Sequence, residues 1–330
     1  FINIIFLCYT KSTMKHIGLI AIGGFAGLLI VSAFPNVFPS NFDNRSLTGF
    51  SAGALNSWRA QGGFKTDYDM GSKSTDISYI QSYLLDLYPD LTLKLDGALG
   101  AITSSALVDF QIDENIPTTG VVDSKTREAF NELLLSELCP EGTGEDVDLL
   151  YPINKVNEVS SDFIPDNLTV LPDYVHPKGI ICLKDFASES YIKMFDDAKK
   201  ENITLGITSG FRKYEIQDYL FNLYTETMGL AEASRVSALP GHSEHQLGTT
   251  MDLTGSSIGF ASTSKLMSSN IEGNWLEENA HKYGFVMSYP EGKESITGYS
   301  YEPWHYRYVG VDVAEAVKDS GLTLGEYLEK

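Results

Sequence analysis

GHSEHQLGTTMDLTG, residues 241–255, is the stretch on which the reading of this chain turns, together with GYSYEPWHYRYVG at residues 298–310. Three of the six histidines, His242, His245 and His305, fall in these two segments. Imidazole and carboxylate are ligand types that zinc takes in an open catalytic site, where three protein ligands leave a fourth position for water. His245 and Asp252 lie on either side of Gly248, so a turn there brings a loop histidine and a strand aspartate toward one metal. His305 completes the set from a second strand. Glu302 stands three residues before His305, and Pro303 between them keeps the pair off a regular helix, placing the carboxylate toward the same cleft.

These parts suit one kind of chemistry. Peptide hydrolysis at neutral pH needs a water made nucleophilic by a metal, a carboxylate to carry its proton to the leaving amine, and a positive group to hold the substrate. Glu302 fits the second role. Arg212, in SGFRKYEIQ, follows a strand-like run and precedes a helix, a loop position from which a planar guanidinium can clamp a carboxylate with two hydrogen bonds.

Working outward, the 330 residues have room for about two domains, and 43% apolar with 21% charged residues is the composition of a chain that buries cores. With 24 basic against 44 acidic side chains the formal charge is −20, and no Lys/Arg-rich run is present. Nucleic acid is thereby an unsuitable partner. The cysteines, Cys8, Cys139 and Cys182, are too few and too scattered for a disulfide scaffold or a paired-cysteine zinc site. They permit at most one bridge, Cys139 to Cys182.

Met14 reads as a start, with residues 1–13 as upstream sequence. The uncharged run IGLIAIGGFAGLLIVSAF, residues 17–34, comes after Lys11 and Lys15 and reads as a secretory signal cut after Ala33 or as a retained membrane anchor. Either way the basic flank predicts that the remainder of the chain leaves the cytoplasm, with membrane contact only through this segment. Residues 1–35 are thus a leader and 36–70, rich in Ser, Asn, Gly and Asp, a linker. Over 71–137 the pattern is helical. Ile77, Ile80, Leu84 and Leu87 recur every three or four residues after a cap at Asp76; a second helix carries Ala106, Leu107 and Phe110; a third begins after a cap at Asp123 and buries Phe130, Leu133 and Leu134. Residues 138–150 form an acidic linker, and no internal repeat is evident. The remaining domain, 151–330, mixes helices at 214–228 and 275–283 with strands at 203–208, 249–253 and 304–309, an α+β pattern.

Two resemblances rest on particular residues. Ile80-Gln81, Asp96-Gly97-x-x-Gly100-x-x-Thr103, Phe110-Gln111, Thr119-Gly120-Val121-Val122-Asp123 and Thr126 resemble the three-helix peptidoglycan-binding domain of cell-wall hydrolases, which implies the stem peptide or glycan of the wall as partner. Ser209-Gly210-Phe211-Arg212-x-Tyr214-x-x-Gln217, Pro240-Gly241-x-Ser243-Glu244-His245-Gln246-x-Gly248-x-x-x-Asp252, Tyr289-Pro290-x-Gly292-Lys293 and Glu302-Pro303-Trp304-His305-Tyr306-Arg307 resemble VanY-type D-alanyl-D-alanine carboxypeptidases. That resemblance implies the small antiparallel-sheet core shared with lysostaphin-type and hedgehog domains. It implies Zn²⁺ on His245, Asp252 and His305, Glu302 as the catalytic carboxylate, Arg212 on the terminal carboxylate of the substrate, and Ser243 and Gln217 lining the pocket. Ser288 departs from the pattern, where such enzymes often carry arginine.

The activity so implied is removal of the terminal D-Ala from peptidoglycan stem peptides by a secreted or membrane-anchored, wall-associated enzyme. A wall endopeptidase and a non-catalytic, zinc-containing wall-binding protein are the alternatives. His242 is not expected to bind metal, His281 falls late in a helix where it answers the dipole, His176 is expected at the surface, and Trp275 and Trp304 in the core.

Overall fold

The computed structural model describes residues 63–176 and 179–329. The expected leader and residues 36–62 of the expected linker lie outside these residues. Among the described residues no helix is long and apolar enough to cross a membrane.

The helical pattern folds as α1 (Thr75–Leu87), α2 (Ala101–Asp113) and α3 (Ser124–Leu138). Ile77, Ile80 and Leu84 meet Ala106, Leu107, Phe110, Phe130 and Leu134 in one apolar cluster, as their spacing requires. The Phe110 and Phe130 rings stack 4.0 Å apart at its centre. The cap of α1 is Ser74, whose hydroxyl accepts from the Asp76 backbone N–H; Asp76 itself lies in the first turn. Asp123 caps α3 as expected, accepting from Thr126 N.

A local repeat, not evident in the sequence, is built here from two buried glutamines. Gln81 accepts from Gly97 N and donates toward Ala98 O and Thr103 Oγ1. Gln111 accepts from Gly120 N and donates toward Val121 O and Thr126 Oγ1. Each side chain satisfies a tight turn from within, which is how a buried amide escapes its desolvation penalty. The glutamine, the turn glycine and a threonine at the same distance beyond that glycine all recur, but glutamine and glycine are 16 residues apart in one copy and 9 in the other, so no fixed period marks the sequence.

Ile180 and Ile216 also pack on the helical cluster, Lys213 pairs with Glu137, and Cys139 is bonded to Cys182. The bridge closes a sequence separation of 43 residues, for which chain-entropy arguments give about 4 kcal/mol. Cys139→Ser is therefore expected to lower stability by about 2–5 kcal/mol, read as a lower guanidinium midpoint with a steeper slope, because the unbridged unfolded chain exposes more surface.

After a two-stranded ladder, β1 (Leu168–Val170) with β2 (Cys182–Lys184), and α4 (Asp185–Lys200) come β3 (Leu205–Ser209), α5 (Tyr214–Met228), α6 (Leu230–Val236) and β4 (Thr250–Gly255). Next in the chain are α7 (Ile271–Asn279), β5 (Phe285–Met287), α8 (Glu294–Thr297), β6 (His305–Tyr308), α9 (Val311–Ser320) and α10 (Leu324–Leu328). The four longer-range strands form an antiparallel sheet ordered β3-β4-β6-β5, so the architecture is α+β with helices around a small antiparallel sheet. Strand alternation sends Ile207, Met251, Leu253 and Tyr306 to one face, where they join the α4 side chains Tyr191 and Met194 in the main core. The opposite face is left for polar residues.

The helix at 214–228 has the expected bounds. The one expected at 275–283 starts earlier, at Ile271, where Asn270 accepts from Gly273 N, and tightens into a 3-10 turn from Ala280 to Tyr283. His281 therefore sits in that turn.

Candidate active site

On the polar face of the sheet, Asp252 of β4 is directly opposite His305 of β6. Opposed residues of an antiparallel pair project to the same side, so both side chains enter one cleft. His245 reaches it from a 3-10 turn, Glu244–Leu247, that ends at Gly248 in the left-handed conformation with φ 70°. A side chain there would also meet Leu168 and Pro165 at 2.9 and 3.0 Å, so the turn that delivers His245 to the strand of Asp252 requires glycine. Among the described residues, His245, Asp252 and His305 form a group whose ligand atoms all lie within 4.8 Å of one another, and all three are buried.

Hydrogen bonds fix which atom each imidazole presents. His245 Nδ1 is 2.8 Å from the Gly210 carbonyl, which can only accept, so this nitrogen donates. His305 Nε2 donates in the same way to the Glu244 carboxylate at 2.8 Å. The nitrogens left over, His245 Nε2 and His305 Nδ1, lie 3.4 and 3.5 Å from Asp252 Oδ1. That oxygen is buried and has no hydrogen-bond partner. Three Lewis bases thus converge, each oriented from behind, and this donor set fits a divalent cation of the zinc type.

Electrostatics are set by the same crowding. Burial and the Arg212 charge lower His245 to about 4. Burial also opposes the charging of His305, but the neighbouring carboxylates of Asp252 and Glu244 outweigh it and raise the imidazole to about 10. Burial works against the Asp252 carboxylate too, yet the two histidines hold it far below the usual carboxylate range. Glu302 Oε2 lies 3.4 Å from His305 Nδ1, and burial pushes this carboxyl up to about 7. Its backbone is fixed by a turn: Glu302 N donates to Tyr289 O, and Glu302 O accepts from His305 N.

Arg212 leaves β3 just before α5 and is aimed by two acceptors, Gln217 Oε1 at 2.9 Å from Nη1 and Ser209 Oγ at 3.0 Å from Nη2. Gln217 is itself locked, donating to Ser237 Oγ and Ala238 O. With Ser243, these residues and the metal-type cluster line one cleft of about 460 Å³. All seven residues singled out in the sequence are therefore brought together.

Glu244 was missed. It is 5% exposed, and its carboxylate accepts from His305 Nε2, from Ser288 Oγ at 2.6 Å and from Arg307 Nη1 at 3.4 Å. Burial would raise its pKa, but the His305 and Arg307 interactions bring it down to about 2. Ser288, the departure noted in the sequence, thus places a small hydroxyl on Glu244, while Arg307 supplies the positive charge. Glu244→Gln is expected to weaken zinc binding by about 10–100-fold, measured by competition with a chelating dye, because His305 loses a charged acceptor.

His176 is a correction. It is 7% exposed, with Nε2 3.3 Å from the Leu171 carbonyl, so it belongs to the interior. His242 stands apart from the cluster, with Nδ1 donating to Asn154 O. Trp275 and Trp304 are core residues as expected, and Trp304 also lines the cleft.

The family model for D-alanyl-D-alanine carboxypeptidase, VanY, matches residues 181–311, and a peptidoglycan binding domain model matches residues 73–130. YodJ of Bacillus subtilis (strain 168), which bears the name of a carboxypeptidase, is 39% identical over 186 residues, 55% of this chain and 67% of that protein. A D-alanyl-D-alanine carboxypeptidase of Enterococcus faecium is 32% identical over 254 residues, 75% of this chain and 78% of that one. Among solved structures, the LdcB LD-carboxypeptidase superposes with a TM-score of 0.52 at 38% identity, covering 55% of this chain and 86% of its own. The matched region holds every residue of the cleft described above, and the chain belongs to the VanY family of D-alanyl-D-alanine carboxypeptidases.

Proposed function

We propose that this chain is an extracytoplasmic, zinc-dependent carboxypeptidase that removes the terminal D-Ala from peptidoglycan stem peptides. The observation that carries this reading is the convergence of His245 Nε2, His305 Nδ1 and the unpartnered Asp252 Oδ1, with the Glu302 carboxylate alongside, in an open cleft. His245, Asp252 and His305 would hold the zinc, which when bound supplies Lewis acidity and a water acidified to about pKa 7. Glu302 takes the proton of the attacking water and delivers it to the leaving amine. Arg212, aimed by Gln217 and Ser209, pairs with the free carboxylate of the substrate and so selects a chain end over an internal bond. The buried Glu244 holds His305 at its working angle. Residues 71–137 would form a separate three-helix domain that keeps the enzyme on the wall, a reading supported by the peptidoglycan binding domain match.

The test is incubation of the zinc-loaded protein with a pentapeptide ending in D-Ala-D-Ala. Free D-Ala is expected, and its release should stop on chelation and return with zinc; no release from folded, metal-loaded protein would sink the proposal. The likeness to an LD-carboxypeptidase favours a second reading, cleavage of the bond joining an L-configured centre to one terminal D-Ala. A tetrapeptide ending in a single D-Ala, assayed beside the pentapeptide, separates the two.

A further inference from the structure

The guanidinium of Arg212 is aimed by Gln217 and Ser209, but the backbone that carries it is held from two directions. Toward the cleft, Arg212 N donates to His245 O at 3.2 Å, and the Gly210 carbonyl accepts from His245 Nδ1. Away from the cleft, Phe211 N donates to the Cys182 carbonyl at 2.7 Å, and Cys182 is bonded to Cys139, the C-cap of α3. A Cβ on Gly210 would stand 2.4 Å from that same carbonyl, so β2 lies directly against the loop. Ile216, one residue before Gln217, packs on the apolar cluster of the three helices. The stretch from Gly210 to Gln217 is thus a strap with the cleft on one side and α3 on the other.

The ion pair across this joint is poorly suited to the helices that carry it. Glu137 lies in the last turn of α3, where the helix dipole disfavours a carboxylate, and that turn has no basic residue. Lys213 is the N-cap of α5, where the dipole disfavours a cation, and its side chain caps nothing. Each charge is offset only by meeting the other across the joint. Both side chains are half-buried there, 17% and 24% exposed, whereas the Lys125–Glu128 pair on the same α3 is 63% and 51% exposed. Solvent screens the joint less, so this pair holds its geometry where a surface pair contributes little.

We infer that Lys213 and Glu137 are positioning residues for Arg212: with the Cys139–Cys182 bridge and Ile216 beside it, their ion pair braces the strap against α3 and fixes where the guanidinium meets the terminal carboxylate of a peptide. The inference rests on the role proposed above for Arg212. Neither Lys213 nor Glu137 is among the residues that line the cleft, so both act through the strap. Arg212 pairs with that carboxylate before and during reaction alike, so displacing it weakens binding without slowing the bound peptide.

Steady-state kinetics on the zinc-loaded full chain test this. Lys213→Met keeps the side-chain length and removes the charge. It is expected to raise KM for a pentapeptide ending in D-Ala-D-Ala about tenfold, with kcat within about twofold and zinc content unchanged. Lys213→Arg should restore KM. The same peptide closed as a C-terminal amide, titrated as a competitive inhibitor, should keep its inhibition constant in both variants, because it brings Arg212 no carboxylate. An unchanged KM in Lys213→Met, an equal weakening of the amide, or a Lys213→Arg variant that does not restore KM overturns the inference. Should Lys213→Met fail to fold, Glu137→Met breaks the same pair from the other helix and is held to the same rise in KM and the same constant amide inhibition. Absence of D-Ala release by the unaltered chain overturns the proposed function, and this inference with it.

Discussion

Glu302→Gln is expected to keep the protein folded and zinc-loaded while turnover falls by about 10²–10⁴. The carboxylate is 8% exposed and lies 3.4 Å from His305 Nδ1, and its backbone is held by the turn to Tyr289 and His305. Glutamine preserves that volume and turn. It removes only the capacity to take up and release a proton. Steady-state rates of D-Ala release and elemental analysis on the same preparation check both halves. Unchanged turnover would remove Glu302 from proton transfer, whereas a joint loss of metal and rate would make it a ligand.

His305→Ala is expected to abolish activity by a different route, through loss of the metal itself. Among the described residues three candidate ligands converge, so removing one would leave a donor pair that seldom retains zinc through dialysis. The damage extends behind the ligand, because Glu244 then keeps only Ser288 and Arg307 as partners in a buried position. Zinc stoichiometry should fall from about one to well below it, with a lower melting temperature than that of Glu302→Gln. Full metal content in the purified variant would exclude His305 from the site.

Much of this site was legible because its parts lie in short, chemically distinctive runs. His245 and Asp252 flank a glycine that must adopt positive φ, and Glu302 and His305 flank a proline, so local backbone rules already confine each pair. Arg212 was legible from its place between a strand and a helix. Glu244 stood in the same quoted stretch and was passed over, since its role depends on Ser288 and Arg307, which come from distant positions with no period linking them. A second carboxylate in that stretch, directly adjoining the candidate ligand His245, was the available signal. His176 departs from its expectation for the converse reason: a prolyl loop reads as surface, but His176 is held inside by the Leu171 carbonyl, beside the core residues Leu171 and Val175. The helix at 214–228 was found with its ends because its limits are marked, whereas α7 was entered late because its Asn270 cap precedes the apolar positions that signal it.

The direct opposition of Asp252 and His305 also bears on how the molecule matures. If β6 slid by a single position along its neighbour, the alternation of the strand would turn the imidazole toward the apolar interior and leave the aspartate facing a stranger. Only chains zipped in the native alignment would then capture the ion, and metallation becomes a proofreading signal for strand assembly. Comparing zinc uptake with total folded protein during refolding would therefore count misaligned molecules that spectroscopy averages away.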